Sequence, residues 1–487
     1  MAEYAVIRDC IAGETAVKAK REAYLPFPDE SRLEMDPDVV KEGKARYDAY
    51  LTRAVFYNAT RRTLDGLTGQ VFMRDPVCEI PAQMSALKAD VSGTGISLFQ
   101  SAEMSLQEVV SYSRAGVFVD FPDTTERGAS ADDVASGRIR PTLYSYNTFE
   151  ILNWRVKEID SSEVLSLVVL MEGFPMNDDG FEVKYGPQVR VLRLNEANEY
   201  VQEIWRQVKP TEWSLGAKIP KGNEFRLHST YYPTMADGSR AKRIPFWFIG
   251  SRNNDANPEN PNFYDLASLN IAHYRNSADY EECCFLLGQP TLVVTGMQQK
   301  WLTEVLKGKL NFGSRGGIPL EAESDAKLIT AEENSMIKEA MDDKVKQMKG
   351  LGAKLVEERG VQRTATETRS DNASESSVLA SCANNVSVAY TAALVYAAEL
   401  MGLGTNGIKF ELNKDFDLSA MSPEEQRLIV ELWQKGAISW PEMRTALRRA
   451  GKAFEDDNKV KAEIEADTLK QMEMAASVEG AAPTGAE

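Results

Sequence analysis

Tyr264-Asp-Leu-Ala-Ser-Leu-Asn-Ile-Ala-His-Tyr-Arg-Asn-Ser-Ala-Asp-Tyr-Glu-Glu-Cys-Cys-Phe-Leu-Leu287 is the stretch whose reading decides the fold. Leu266, Leu269, His273, Asn276, Tyr280, Cys283 and Leu287 recur at steps of three and four, the spacing of a seam between packed helices. Gly288-Gln289-Pro290 ends the pattern, because a glycine and a proline just past the last turn stop a helix. A compact segment follows, with a β-branched run at Thr291–Thr295 and the glycine cluster Gly313-Ser314-Arg315-Gly316-Gly317. The spacing predicts a second helix over Glu333–Glu358 (Ile337, Met341, Val345, Met348, Leu355) and a third over Ala373–Met401 (Leu379, Cys382, Val386, Ala389, Ala393, Ala397, Leu400). At about 1.5 Å per residue, each of the three spans roughly 35–43 Å.

Upstream, Pro37 to Leu67 reads as one helix with Tyr47, Tyr50, Leu51, Ala54, Tyr57, Leu64 and Leu67 on its apolar side, and Gln70–Met73 as a short strand. Arg53, Arg61 and Arg62 on that helix read as ion-paired surface residues or as phosphate contacts. Leu98–Ser113 is amphipathic and leads into the strand Val117–Phe121. From Arg140 to Phe248 strand patterns dominate, with Glu199–Gln207 pairing back on Gln188–Leu194 through Asn195–Asn198. Residues 251–262, rich in Asn and Pro, read as the main architectural boundary. Near the end, Ser422-Pro423-Glu424-Glu425 and Ser439-Trp440-Pro441-Glu442 each open a helix with a cap, a proline and acids in the first turn.

Composition narrows the function. With 43% hydrophobic residues in 487, the chain can bury a sizeable core. No run of 18 apolar residues occurs, so no membrane-crossing helix and no membrane partner are expected. Five scattered cysteines suit a reducing compartment. The net charge of −17 opposes tight binding of a polyanion, since lysine and arginine supply phosphate affinity.

Catalytic patterns are missing. Neither Lys307-Gly308-Lys309 nor Gly350-Leu351-Gly352-Ala353-Lys354 has the spacing of a phosphate loop. The two histidines, His228 and His273, stand outside any hydrolase or zinc pattern, and His273 reads as a packing residue. Cys283 and Cys284 point some 100° apart on a helix and make no metal hook. Asp132-Asp133, Asp178-Asp179, Asp342-Asp343 and Asp456-Asp457 read as solvated faces, the competing reading being a magnesium-dependent nuclease. The expectation is a protein with no enzymatic activity, no cofactor and no metal. More informative is Arg359–Ser370, Arg-Gly-Val-Gln-Arg-Thr-Ala-Thr-Glu-Thr-Arg-Ser, which joins two long helices. Two readings fit it: an ordinary solvated turn, or a polar finger that touches a phosphate backbone transiently.

Several stretches in order resemble the bacteriophage portal protein (head-to-tail connector) family. They are Tyr50-Leu-Thr-Arg-Ala-Val-Phe-Tyr-Asn58, Thr63-Leu-Asp-Gly-Leu-Thr-Gly-Gln-Val-Phe72, Ala115-Gly-Val-Phe-Val-Asp-Phe-Pro122, Tyr146-Asn-Thr-Phe-Glu-Ile-Leu-Asn-Trp154, Asp265-Leu-Ala-Ser-Leu-Asn-Ile-Ala-His-Tyr274 and Gly436-Ala-Ile-Ser-Trp440. The resemblance implies an α+β, mainly helical subunit that assembles with its copies, usually twelve, into a ring at one capsid vertex of the virion, after synthesis in the host cytoplasm. It implies a wing over 1–255, a first stem helix over 256–288, a clip over 289–332 and a second stem helix over 333–358. A tunnel loop over 359–372, a long wing helix over 373–410, and a crown with C-terminal tail over 411–487 complete the assignment.

By the same resemblance, Arg359, Gln362, Arg363, Thr364, Thr366, Glu367, Thr368 and Arg369 would face double-stranded DNA passing through the channel. Pro290, Trp301, Lys307, Lys309 and Arg315 would serve the clip, where terminase and later a head-completion or tail adaptor protein dock. The major capsid protein would surround the ring. The alternative is a ring-forming scaffold or neck adaptor without direct DNA gating. The helix pair, with two apolar sides and one partner in its own chain, is expected to need neighbouring copies to cover it.

Overall fold

The computed structural model describes residues 2–27, 37–122, 139–208, 224–287, 291–296, 299–304, 324–329, 335–353, 377–414, 416, 423–449 and 459–467. These residues are 48% helical and 24% strand, an α+β chain in which helix predominates. In chain order the helices are α1 (Ala2–Ala12), α2 (Glu14–Ala19), α3 (Pro37–Arg53), α4 (Ala59–Val71), α5 (Ala86–Ala89), α6 (Leu98–Tyr112), α7 (Tyr264–Leu287), α8 (Gln299–Glu304), α9 (Ser335–Ala353), α10 (Val378–Leu400), α11 (Pro423–Gln434) and α12 (Trp440–Arg449). The strands are β1 (Val77–Glu79), β2 (Arg114–Asp120), β3 (Thr142–Tyr146), β4 (Ile151–Ile159), β5 (Ser162–Asp178), β6 (Val183–Leu194), β7 (Tyr200–Gln207), β8 (Phe225–Tyr231), β9 (Phe246–Gly250), β10 (Thr291–Thr295), β11 (Asp325–Ile329) and β12 (Lys409–Glu411). Two units result, Met1–Lys414 and Asp415–Glu487.

In the first unit, an antiparallel sheet in the order β3-β2-β9 faces a five-stranded antiparallel meander, β4-β5-β6-β7-β8. Phe118, Tyr146, Phe246 and Phe248 from the first sheet meet Val168, Leu170, Leu192 and Tyr200 from the second in one core. As the Asn195–Asn198 turn predicts, β6 and β7 form a hairpin, with Leu194 opposite Tyr200. A half-buried ion cluster joins the sheets. The Arg190 guanidinium donates to Asp120 (2.9 Å) and to Glu172 (2.6 Å), and Tyr146 donates its hydroxyl to Glu172 as well. Burial raises the Asp120 carboxyl above its usual value, while Arg190 pulls the other way.

Helix α10 is the spine of the unit. Ser377 caps it by accepting from the Ala380 N–H at 3.1 Å. Its Tyr390 hydroxyl meets Ser101 (2.8 Å) and Ser105 (2.9 Å) of α6, and its Asn385 amide donates to the Gly250 carbonyl at the end of β9 (2.8 Å). By length and composition α10 is apolar enough to cross a membrane, a case the search for 18 consecutive apolar residues misses. Cys382, Val386, Ala389, Ala393, Leu394 and Ala397 are all buried within the unit, as in a core helix.

Three local readings are corrected. The single helix over Pro37–Leu67 is two helices, because Ala54–Asn58 leaves the helical path. Phe56 there packs edge-on against Tyr274, the Val55 N–H donates to Ser277 (3.2 Å), and Asn58 restarts the chain as the cap of α4. In place of the strand expected at Gln70–Met73, Gln70 and Val71 end α4 and Phe72 and Met73 form the turn after it, and the strand lies further on, where Val77–Glu79 pairs with β12. Residues 251–262 are fastened inside the first unit rather than dividing it. Glu259 accepts from the Ser251 N–H and hydroxyl, and the Asn254 amide donates to the Asn385 carbonyl (2.9 Å).

In the second unit, Ser439 and Glu442 form a reciprocal cap at the start of α12. The Ser439 N–H donates to the Glu442 carboxylate (2.7 Å), and the Glu442 N–H donates to the Ser439 hydroxyl (3.4 Å). Gly436, at φ 72°, supplies the left-handed turn that ends α11. Both helix starts fall where the capping residues predict.

Candidate functional site

The site is built on α7 and α9. Helix α7 has the predicted limits, and the described part of the second helix is Ser335–Ala353. The stripe on α9 follows the expected spacing: Ile337, Met341 and Val345 are half-buried and Met348 is buried, while Met336 on the outer side is 69% exposed. Near the end of α9, a Cβ on Gly352 would sit 3.0 Å from Thr63 of α4, so the two helices touch through a glycine.

The seam of α7 differs from the predicted one. Leu266, Ala267, Asn270, Ile271, Tyr274, Ser277 and Ala278 are its buried residues alongside His273, whereas Leu269, Asn276 and Tyr280 are only half-buried. Small and polar side chains line it because α1, α3 and α4 pack close and offer backbone groups to be satisfied. The Cys10 thiol lies 3.7 Å from the Ala267 carbonyl, and the Arg275 side chain donates to the Tyr24 carbonyl (2.8 Å). The expectation that the helix pair has one partner in its own chain is therefore corrected: three N-terminal helices cover the proximal part of α7.

Toward its C-terminal end α7 is held by charge instead. Tyr50 donates to Asp279 (2.6 Å), Arg53 pairs with Glu282, and the Arg53 guanidinium lies 4.2 Å from the Phe285 ring centroid. Phe285 remains 44% exposed and Cys284 is exposed. Arg61 pairs with Asp65 at 3.7 Å and Arg62 lies over the Tyr57 ring, so Arg53 and Arg61 follow the ion-paired reading. His273 is 5% exposed and packs against Tyr57; burial and Lys344 hold its pKa below the ordinary histidine value. All five cysteines are free, and burial pushes the Cys10 and Cys382 thiols up to about 12, the condition of inert core residues.

Beyond α7 and before α9, β10 and β11 form an antiparallel ribbon, with Thr291 opposite Ile329 and Thr295 opposite Asp325. Trp301 lies half-buried on α8. The other predicted docking residues, Pro290, Lys307, Lys309 and Arg315, lie outside the described residues, as do Arg359, Gln362, Arg363, Thr364, Thr366, Glu367, Thr368 and Arg369 of the predicted tunnel loop. Of the acidic pairs, Asp178-Asp179 sits at a hairpin tip and Asp342-Asp343 on the outer face of α9, while the other two lie outside the described residues. Among the described residues no group of three or more His, Cys, Asp or Glu side chains gathers in metal-binding range.

Residues 262–401 match the family model described as a domain of unknown function, DUF4055. The matched span runs from the start of α7 to the end of α10 and is less than a third of the chain. No curated protein matches. Two solved chains are similar at 12% identity. One belongs to the neck of an empty GTA particle with C6 symmetry (TM-score 0.39, covering 82% of this chain and 92% of that one). The other belongs to the neck of a native GTA particle with C12 symmetry (TM-score 0.40, covering 80% and 89%).

Sequence reasoning missed two features. Glu108 and Glu150 are carboxyls that burial pushes up to about 7. Glu150 lies within the Tyr146–Trp154 stretch, but nothing in that pattern marks it as titratable near neutrality, and only the fold brings it near Glu108. The second is the length of the β5–β6 hairpin, which among the described residues continues past β4 and β7 on either side. Pro175, Gly180 and Pro187 are the signal that was available for it.

Proposed function

We propose that this chain is a portal-type subunit: a non-enzymatic ring component at one capsid vertex of a phage-like particle, through which double-stranded DNA is packaged and ejected. The observation that carries this reading is the α7–α9 pair. Its base is clamped by α1, α3 and α4, while the end next to the β10–β11 ribbon leaves Phe285 and the outer face of α9 open. A rigid pair fixed to a body at one end suits a wall element, and copies placed side by side enclose a passage. The order of portal-like sequence stretches along the chain supports the same reading. The net charge of −17 suits a passage that DNA must cross without being held.

In this reading Arg359–Ser370 reaches the passage, and residues 289–332 form the docking end for terminase and then for a head-completion or tail adaptor. The ring, with twelve copies as the expected number, sits among copies of the major capsid protein. Native mass spectrometry and negative-stain imaging of the purified full-length chain test it. The expected result is a closed ring with a central hole; a monomer at all concentrations overturns it.

A further inference from the structure

Pairing of β4 with β5 stops at Leu170, and pairing of β7 with β6 begins at Gln188. Between these points, among the described residues, β5 and β6 pair only with each other, from Gly173 opposite Pro187 to Asp178 opposite Val183. At about 3.3 Å per residue this two-stranded arm projects roughly 20 Å beyond the sheet. A ribbon of two strands is marginal by itself, so its faces need cover. One face covers itself: Met176 and Phe174 lie over Gly186, and the Arg206 guanidinium sits 4.6 Å from the Phe174 ring centroid. The opposite face is bare. Pro175 is exposed, Val183 is 39% and Tyr185 48% exposed, and Phe181 at the tip is fully exposed.

The character of the tip restricts what can cover it. Asp178, Asp179 and Glu182 surround Phe181 against one cation, Lys184, so phosphate backbones and anionic lipid are repelled. Pro175 and Pro187 remove backbone donors from the arm, so it docks through side chains rather than as an added strand. The matching surface is a basic one with exposed apolar groups. This chain carries such a surface at the β8 edge and the turn after it: Arg226, His228, Arg240 and Lys242 are exposed there, with Leu227 49% and Tyr232 44% exposed. Asp237 is the one acid between Phe225 and Arg243. The arm cannot reach this edge in its own chain, because β7 lies between them and the arm leads away along the strand direction.

We propose that the bare face and tip of the β5–β6 arm dock on the β8 edge of a second copy of this chain. Two different patches then meet head to tail, the kind of contact that closes into a ring. The inference rests on the ring reading above and names one of the contacts that would close it. Phe181 is the anchor, and the charges of tip and edge set the pairing.

The test uses the full-length chain in sedimentation velocity and native mass spectrometry. Phe181→Ser, Glu182→Arg, and the double change Arg226→Glu with Lys242→Glu are each expected to raise the concentration at which assemblies dissociate by at least about tenfold. All are surface changes, so circular dichroism melting of the dissociated chain should match the wild type. Combining Glu182→Arg with the double edge change should restore assembly, which a merely misfolded variant would not do. If the wild type assembles and the arm variants assemble equally well, the arm assignment falls while the ring reading stands. Arm variants that form normal assemblies but fail to enter particles would likewise overturn it, in favour of another particle protein as the occupant. A wild type that never assembles removes the ring reading itself, and this contact with it.

Discussion

Asn270 of α7 holds Thr60 of α4 by both of its hydrogen-bonding groups: the Asn270 amide oxygen accepts from the Thr60 N–H at 3.1 Å and from its hydroxyl at 2.9 Å. The Asn270 NH2 group donates to the Tyr57 carbonyl at 2.7 Å, which completes the bridge. One buried side chain therefore satisfies the first turn of a helix more than two hundred residues away. It also holds the break in the chain that precedes that helix.

Removing this bridge should be costly. Asn270→Ala leaves the buried Thr60 N–H without its acceptor and takes one of their partners from the Thr60 hydroxyl and from the Tyr57 carbonyl, which keeps the Ala59 N–H. The expected loss is about 1–3 kcal/mol of unfolding free energy. Urea denaturation at one fixed chain concentration measures it. A change below about 0.5 kcal/mol would show that water replaces the amide freely.

Gly116 in β2 lies under the Phe246 ring, and a Cβ there would meet the ring at 2.2 Å. Gly116→Ala is expected to destabilise by about 1–3 kcal/mol through overpacking. Phe246→Leu alone should also destabilise, since it trims a core side chain. The double variant should be more stable than the sum of the two losses. Additive losses in a double-mutant cycle would mean that the ring is not the obstacle.

Glu150 is 8% exposed, and burial pushes its carboxyl up to about 7, against the pull of the Asn147 N–H. A group raised in the folded state binds more protons there than in the unfolded chain. Its contribution is therefore full below the unfolded value near 4.5 and is lost as pH rises through about 7. Glu108 has the same sign and the same window. Glu150→Gln keeps an acceptor for Asn147 without the charge. It is expected to add on the order of 2 kcal/mol at pH 8 and almost nothing at pH 4.5. Melting temperatures of variant and wild type that run parallel across that range would refute this.

The proposed tunnel loop makes a separable prediction. Deleting Val361–Thr368 should leave ring assembly intact while packaging or retention of DNA falls, scored by nuclease-protected DNA per particle. Normal packaging by the deletion would defeat the loop assignment and favour the scaffold or neck-adaptor reading.

Legibility followed the range of the forces involved. Helix α7 was readable at its C-terminal end because a glycine and a proline after the last turn act on their own neighbours. The hairpin through Asn195–Asn198 and the cap at Ser439 were readable for the same reason. The seam of α7 was not, because Ala267, Asn270, Ser277 and Ala278 give no hydrophobic signal, and their burial depends on what packs on them. The break at Ala54–Asn58 was hidden too: Tyr274 and Asn270 make it favourable, and no local rule connects them to that segment. Of the candidate site, the order of the long helices was legible, while the loop read between the second and third lies outside the described residues.

From its sequence alone, the limits of α7, the starts of α11 and α12, the strand-rich middle and the acidic charge were determined, since propensity, capping and composition act within a few residues. Helix α10, by contrast, starts at Val378 behind the Ser377 cap rather than at Ala373. Which faces are buried, where α3 ends, and that β5 and β6 run on past the described pairing of β4 and β7 were decided only by the tertiary structure. Burial and hydrogen-bond satisfaction are settled between groups that meet across hundreds of residues of chain.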